Sequence, residues 1–478
     1  MAATPTFYWH DYETFGADPA RDRPVQFAGL RTDMALNPVG EPLVIFCRPS
    51  DDFLPQPEAC LVTGITPQQA LREGVCEAEF AARIHAELAQ PGTCGVGYNS
   101  IRFDDEVTRH CFYRNFIDPY GREWQNGNSR WDLIDVMRLA RALRPEGLTW
   151  PSHADGTPSL RLEDLTAANG IEHSDAHDAL SDVKATIALA RLLRERQPKL
   201  YDYCLRLRDK RQVAKMLDVS SYKPVLHVSS RYPAEYGNTA VVAPLASHPV
   251  NRNGVIVYDL RYDPAPLLEL SPEEIRARLY TRREELPAGV ERIPLKVIHL
   301  NRSPVVAPAA MLSGDEAERL KISGAQCRAH LAQLRQAQGL ADKLRLVFSE
   351  SGFEPASDPD LMLYGGGFFG PADRAAMDAV RQAPPEQLAH LEPAFQDGRL
   401  EEMFFRYRAR NYPSLLAGEE HERWEAFRRQ RLMSGEAGLG FEQFYQRLNA
   451  LGSADDVTPQ RLEILQELAA YAESIYPA

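Results

Sequence analysis

Thr6-Phe-Tyr-Trp-His10 is aromatic and β-prone, and it runs directly into Asp11-Tyr-Glu13. Side chains on a strand alternate between its two faces, so Asp11 and Glu13 share one face at the strand's end. Phe7, Tyr8 and Trp9 belong in a core, which draws both carboxylates toward a buried setting. Carboxylates in such a setting need a partner or a cation. An Asp-x-Glu pair alone is weak evidence, because 67 of the 478 residues are acidic and chance pairs are expected. The setting is what singles this pair out.

Further strands are expected over 25–31 and 42–47, followed by a helix over 77–89. A short apolar piece, 94–98, leads into Asn99-Ser-Ile-Arg-Phe-Asp-Asp-Glu106, where a helix begins near Asp104. Helical patterns follow over 132–143, 160–169 (closed by Gly170) and 179–194. Strands first and helices after predict an α/β layer domain over residues 1–198. Beyond Pro198 the texture changes. A basic helix over 200–217 precedes strands over 225–230, 239–246, 255–260 and 294–300. Ser247-His-Pro-Val-Asn-Arg-Asn-Gly254 has turn chemistry, and Ser271-Pro-Glu-Glu274 is a capping box with proline at N1. This reads as a mainly antiparallel β domain with inserted helices over 199–350, then a helical domain over 351–478.

Composition narrows the class. Hydrophobic residues are 44% and charged residues 25%, which excludes a disordered or fibrous chain. No apolar run reaches the roughly 18 residues of a membrane span, and the N-terminal residues do not read as a secretory signal. The seven cysteines (47, 60, 76, 94, 111, 204, 327) form no CxxC pair and read as reduced thiols of a cytoplasmic protein. The net charge of −13 argues, on average, against a nucleic-acid partner. Residues 191–231 nevertheless carry eleven Lys/Arg against four Asp/Glu, an excess of +7. That segment is either a solvated helix face or a local phosphate-binding surface.

The chemistry rests on acids from separate elements. Asp104 follows an apolar strand where a helix starts, so it is either an N-cap or a member of the acidic set. His177 and Asp182 lie about 140° apart if both are helical, so they converge only if His177 is on the loop before the helix. Three or four carboxylates without cysteine suit hard cations such as Mg²⁺ or Mn²⁺. Two such ions can stabilise the attacking and leaving oxygens of a phosphoryl displacement, while a histidine takes the proton of the attacking water. The set reads as metal-dependent phosphodiester hydrolysis.

His10-Asp-Tyr-Glu-Thr-Phe15, Tyr98-Asn-Ser-Ile-Arg-Phe-Asp-Asp-Glu106 and His177-Asp-Ala-Leu-Ser-Asp182 resemble the three motifs of the DEDDh exonucleases. Ser129-Arg-Trp-Asp132, Leu143-Arg-Pro-Glu-Gly147, His248-Pro-Val-Asn-Arg-Asn253 and Arg406-Tyr-Arg-Ala-Arg-Asn411 extend the resemblance to the bacterial exonuclease I family over nearly the whole chain. The resemblance implies a ribonuclease H-like exonuclease domain, an SH3-like β domain and a helical domain, forming a C-shaped clamp on single-stranded DNA. It implies processive 3′→5′ hydrolysis to 5′-mononucleotides with two Mg²⁺ ions (Mn²⁺ as substitute), in DNA repair and recombination. By position, Asp11, Glu13 and Asp182 would hold the first metal. Asp11 would bridge to the second, with Asp104 nearby or acting through water, and His177 would be the general base. Glu13, Thr14 and Arg161 match positions near the terminal nucleotide. Arg144, Tyr203 and Lys223 match positions lining a groove for the acidic C-terminal tail of single-stranded DNA-binding protein. A monomer is expected, with no membrane partner. A proofreading subunit or oligoribonuclease would need only the nuclease domain, leaving about 280 residues without a role. A catalytically silent DNA-binding or scaffold protein is disfavoured by the intact carboxylates.

Overall fold

The computed structural model describes residues 4–173, 178–349, 356–435, 438–455 and 457–477. The chain divides into two compact units. The first comprises Met1–Ser129, His173–Ile187 and Pro355–Ala478, and the second Arg130–Glu172 and Ala188–Glu354.

The first unit is built on β1 (Thr6–Thr14), β2 (Pro24–Thr32), β3 (Leu43–Phe46) and β4 (Thr93–Gly97). Their order is β3-β2-β1-β4, with β1 antiparallel to β2 and parallel to β4. Strand alternation sends Tyr8 and Tyr12 to one face, where they pack with Phe27, Phe80, Ile84 and Phe112. The last two belong to helices Glu77–Leu88 and Asp104–Arg114. Phe7, Trp9, Asp11 and Glu13 take the other face, so the apolar side of β1 turns acidic at its C-terminal end. Register slips between Glu13 and Thr14, where Thr14 pairs with Pro24. Proline offers no N–H to the ladder, and such a bulge re-aims the side chains beside it.

Two further cores complete this unit. Phe15, Val25, Phe53 and Leu54 pack with Phe441, Phe444, Leu468 and Tyr471 from the C-terminal helices. Tyr113 and Phe116 pack with Met377, Leu400, Met403 and Tyr407. Charged groups tie the same parts together. Arg410 donates to Asp52 (2.9 Å) and Asp360 (2.7 Å), and Arg406 to Asp360 (3.1 Å). Asn411 Oδ1 accepts from Ala78 N–H at 2.8 Å. The Arg406–Asn411 motif is therefore a structural tie inside the first unit.

Next along the chain is β5 (Ser129–Asp132), whose residues from Arg130 onward belong to the second unit. Asp132 caps the helix Leu133–Leu143, accepting from Ile134 N–H at 3.0 Å. The sheet of the second unit contains β6 (Val225–Val228), β7 (Thr239–Ser247), β8 (Gly254–Asp259), β9 (Leu295–His299) and β10 (Val306–Pro308). It is antiparallel throughout, in the order β10-β6-β7-β8-β9. Ser271 and Glu274 form the expected capping box on helix Pro272–Tyr280. The basic helix expected over 200–217 is instead two, Pro198–Arg206 and Lys210–Met216. The break occurs where Asp209 turns its carboxylate onto Arg211 N–H (2.9 Å) and starts a new helix.

All seven cysteines are buried and none is disulfide-bonded. Among the described residues no helix is long and apolar enough to cross a membrane.

Candidate active site

β1 delivers two of the acidic residues, and the helix Ala179–Arg196 delivers a third. Asp11, Glu13 and Asp182 each place a carboxylate oxygen within 4.8 Å of the others. Glu13 is buried and Asp11 and Asp182 are half-buried. Three carboxylates this close repel one another, and burial adds a desolvation cost to each ionised form. Burial, reinforced by Asp104, Asp182, Glu13 and Asp178, holds the Asp11 carboxyl well above its ordinary range. Burial, then Asp182, Asp104 and Asp178, pushes Glu13 up to about 8. A hard divalent cation relieves this repulsion, and an all-oxygen donor set is what such a cation takes.

Asp104 reaches the cluster by a specific local route. At the end of β4, a Cβ on Gly97 would lie 2.6 Å from Ser100 Cβ and 3.1 Å from the His10 carbonyl oxygen, so only glycine lets the following turn close onto β1. Asn99 then adopts a left-handed conformation (φ 62°), which asparagine tolerates. The helix starts at Asp104 without a side-chain cap from Phe103. The Asp104 carboxylate accepts the Tyr12 N–H at 3.1 Å, which fixes it beside Asp11 near the C-terminal end of β1. Its neighbour Asp105 is taken by buried Arg122 at 2.5 Å. Of two adjacent acids, one is neutralised structurally and the other faces the carboxylates of β1.

Two residues not singled out in the sequence position the third acid. Gln26 lies opposite Glu13 in the β1–β2 register. Its amide donates to Asp178 Oδ1 (3.3 Å) and accepts from Ala179 N–H (3.2 Å), anchoring the start of the Asp182 helix to the sheet. The available signal was a buried amide inside the apolar run Val25–Ala28, since such a group requires partners. His173 Nε2 lies 2.5 Å from Asp182 Oδ1. A separation of nine positions in the sequence hid that pair.

The remaining expected residues sit as follows. His177 lies outside the described residues. Thr14 is buried, and its hydroxyl donates to the Gly16 carbonyl at 2.6 Å. Arg161, in the second unit, precedes helix Leu162–Ala168 and lies 3.7 Å from Glu163, with its side chain 69% exposed. Arg144 caps the end of helix Leu133–Leu143 and pairs with Glu316. The Tyr203 hydroxyl donates to the Val306 carbonyl at 2.7 Å, and Lys223 is exposed.

A sheet whose central strand ends in two carboxylates, joined by acids from two helices, defines a metal-dependent nuclease of the ribonuclease H-like class. Residues 8–190 match the family model for exonucleases, 208–350 that of the exonuclease I SH3-like domain, and 357–475 that of the exonuclease I C-terminal domain. The chain is 50% identical over 471 residues to exodeoxyribonuclease I of Escherichia coli K12, spanning 98% of both. A moderately thermophilic exonuclease I from Methylocaldum szegediense superposes with a TM-score of 0.95 at 53% identity, covering 98% of this chain and 99% of that one. The zinc-bound form of the E. coli exonuclease I–ssDNA complex superposes with a TM-score of 0.93 at 49% identity, covering 98% and 99%. The chain belongs to the exonuclease I family. The expected order of ribonuclease H-like, SH3-like and helical C-terminal domains holds.

Proposed function

We propose that this protein digests single-stranded DNA processively from its 3′ end, releasing 5′-mononucleotides, and that it serves DNA repair and recombination. The observation that carries this reading is the meeting of the Asp11, Glu13 and Asp182 carboxylates within 4.8 Å. The single-stranded DNA held by the E. coli relative supports the substrate class. Asp11, Glu13 and Asp182 would hold one divalent ion, and Asp11 with Asp104 a second, with Mg²⁺ as the ion and Mn²⁺ as a substitute. Ions held there would supply stabilisation of charge on the attacking and leaving oxygens of the phosphodiester. His177, five residues before Asp182, takes the proton from the attacking water. Glu13 and Thr14 contact the terminal nucleotide. The seven buried, unbridged thiols support a cytoplasmic setting, where the protein acts as a monomer.

The deciding assay uses the full chain with Mg²⁺ and 5′-labelled single-stranded and duplex DNA and RNA. Stepwise shortening of single-stranded DNA alone is expected. Internal cuts, or equal digestion of RNA, reject the reading.

A partner completes the proposal. The second unit carries an apolar cavity of about 280 Å³ lined by Pro224, Val241, Leu312, Ile322, Cys327 and Leu331, with Arg328 in its wall. Lys223 adjoins Pro224, Arg144 pairs with Glu316 next to lining residue Ala317, and Tyr203 holds β10 just before lining residue Ala309. An apolar pocket beside guanidinium groups suits an acidic peptide that ends in an apolar residue. We expect it to receive the C-terminal tail of single-stranded DNA-binding protein. Arg144→Ala should weaken anisotropy-detected binding of a labelled tail peptide and leave digestion of naked DNA nearly unchanged. Unchanged peptide affinity removes the site.

A further inference from the structure

Arg23 ends the loop that joins β1 to β2, where its carbonyl accepts the Phe15 N–H at 2.9 Å. It is 4% exposed, and its Nε and Nη2 are buried without a hydrogen-bond partner among the described residues. Burying an ionised guanidinium with unsatisfied N–H groups is among the most costly arrangements in a protein. The neighbouring carboxylates are already engaged. Glu77 accepts from Arg114 (2.6 Å) and Asn115 (3.1 Å). Asp52 accepts from Arg410 (2.9 Å) and from the Ser50 hydroxyl (2.6 Å). Arg114 Nη1 is also buried and without a hydrogen-bond partner among the described residues.

Beside Arg23 lies a small polar void lined by Arg23, Cys47, Arg48, Ser50, Glu77 and Arg410. Of its two arginines with buried side chains, Arg23 and Arg410, only Arg410 is paired with carboxylates, and Glu77 is the one acid in the lining. The void has room for about one water-sized particle, too little for phosphate or a peptide carboxylate. We infer that this void is a structural site for a monatomic anion of the chloride class, held by the Arg23 guanidinium with Arg410 nearby. An anion also answers the local field. Burial, then repulsion from Arg114 and Arg410, lowers Arg23 to about 9, and Glu77 and Asp52 only partly compensate. A water molecule would satisfy the N–H groups and leave that excess charge in place. The site is separate from the carboxylate cluster and takes a ligand of opposite sign.

The test uses full-length protein without DNA or divalent metal. Melting is followed in potassium chloride against potassium glutamate at constant potassium. A melting temperature higher by about 1–3 °C in 200 mM chloride is expected, the size that weak single-site binding gives in a chain of this length. Crystals grown in bromide should show an anomalous peak in the void. Arg23→Met should abolish the chloride dependence; if that variant does not fold, the bromide peak in the wild-type protein decides. A void without anomalous density overturns the inference whatever the melting temperatures do. A peak without chloride dependence of wild-type melting marks an adventitious ion only and overturns it equally.

Discussion

Asp11→Ala and Asp182→Ala should each remove cleavage and leave single-strand binding largely intact. The reason is electrostatic: both carboxylates oppose phosphate, so their loss cannot weaken attraction of the backbone. Parallel nuclease and filter-binding assays check this, and residual cleavage near the wild-type rate in either variant would remove that residue from the metal set. His177→Ala should lower the rate about 10²–10⁴-fold, the usual contribution of a general base, with little change in KM. Single-turnover kinetics measure it. The acids of β1 were legible in the sequence because strand alternation puts both on one face and the aromatic residues before them draw that face toward a buried setting. Asp104 was ambiguous, because a helix-capping aspartate and a metal-facing aspartate look alike until the Tyr12 N–H is seen to take its oxygen. Gln26 and His173 were not legible, since each acts through a partner whose position depends on the folded sheet and helix.

At the scale of elements, the helix Arg399–Asn411 and the segment around Asp52 are locked by charge. Burial alone would raise the Asp52 carboxyl, yet Arg410, Arg431 and Arg23 outweigh it and hold the group well below the usual range. Asp360 behaves in the same way beside Arg410 and Arg406. A depressed folded pKa contributes stability that is full above the unfolded value and is lost as pH falls below about 4. The melting temperature should therefore drop steeply below that pH. Arg410→Met should cost about 3–5 kcal/mol, because it removes a guanidinium shared by two buried carboxylates. Its acid-limb slope, followed by thermal scans against pH, should be shallower than that of the wild type. Elements with strong local signals were read correctly, as with the Ser271 capping box and the glycine after helix Leu162–Ala168. Helices Pro57–Thr63 and Pro67–Glu73 were missed, because seven residues hold too little periodicity to stand out. Strand β10, three residues long, was missed for the same reason.

For the molecule as a whole, the decisive fact is that the beginning and end of the sequence share one unit. Pairs such as Asp52 with Arg410 are separated by 358 positions, which no local pattern can announce. A chain lacking residues 357–475 would expose Phe15, Phe53 and Leu54, which pack on Phe444, Leu468 and Tyr471. Such a truncation should lose cooperative melting and nuclease activity together, as followed by circular dichroism and digestion of an oligonucleotide. An unchanged melting curve would show that these cores are independent. The buried sulfur atoms turn this division into something a chemist can time. Five thiols belong to the first unit and two, Cys204 and Cys327, to the second, and all seven are buried. Alkylation followed by peptide mass analysis then records how often each unit opens, with no dye or engineered label. Cys327 forms part of the wall of the apolar cavity, so a seated peptide should silence that sulfur while the other six keep their own rhythm.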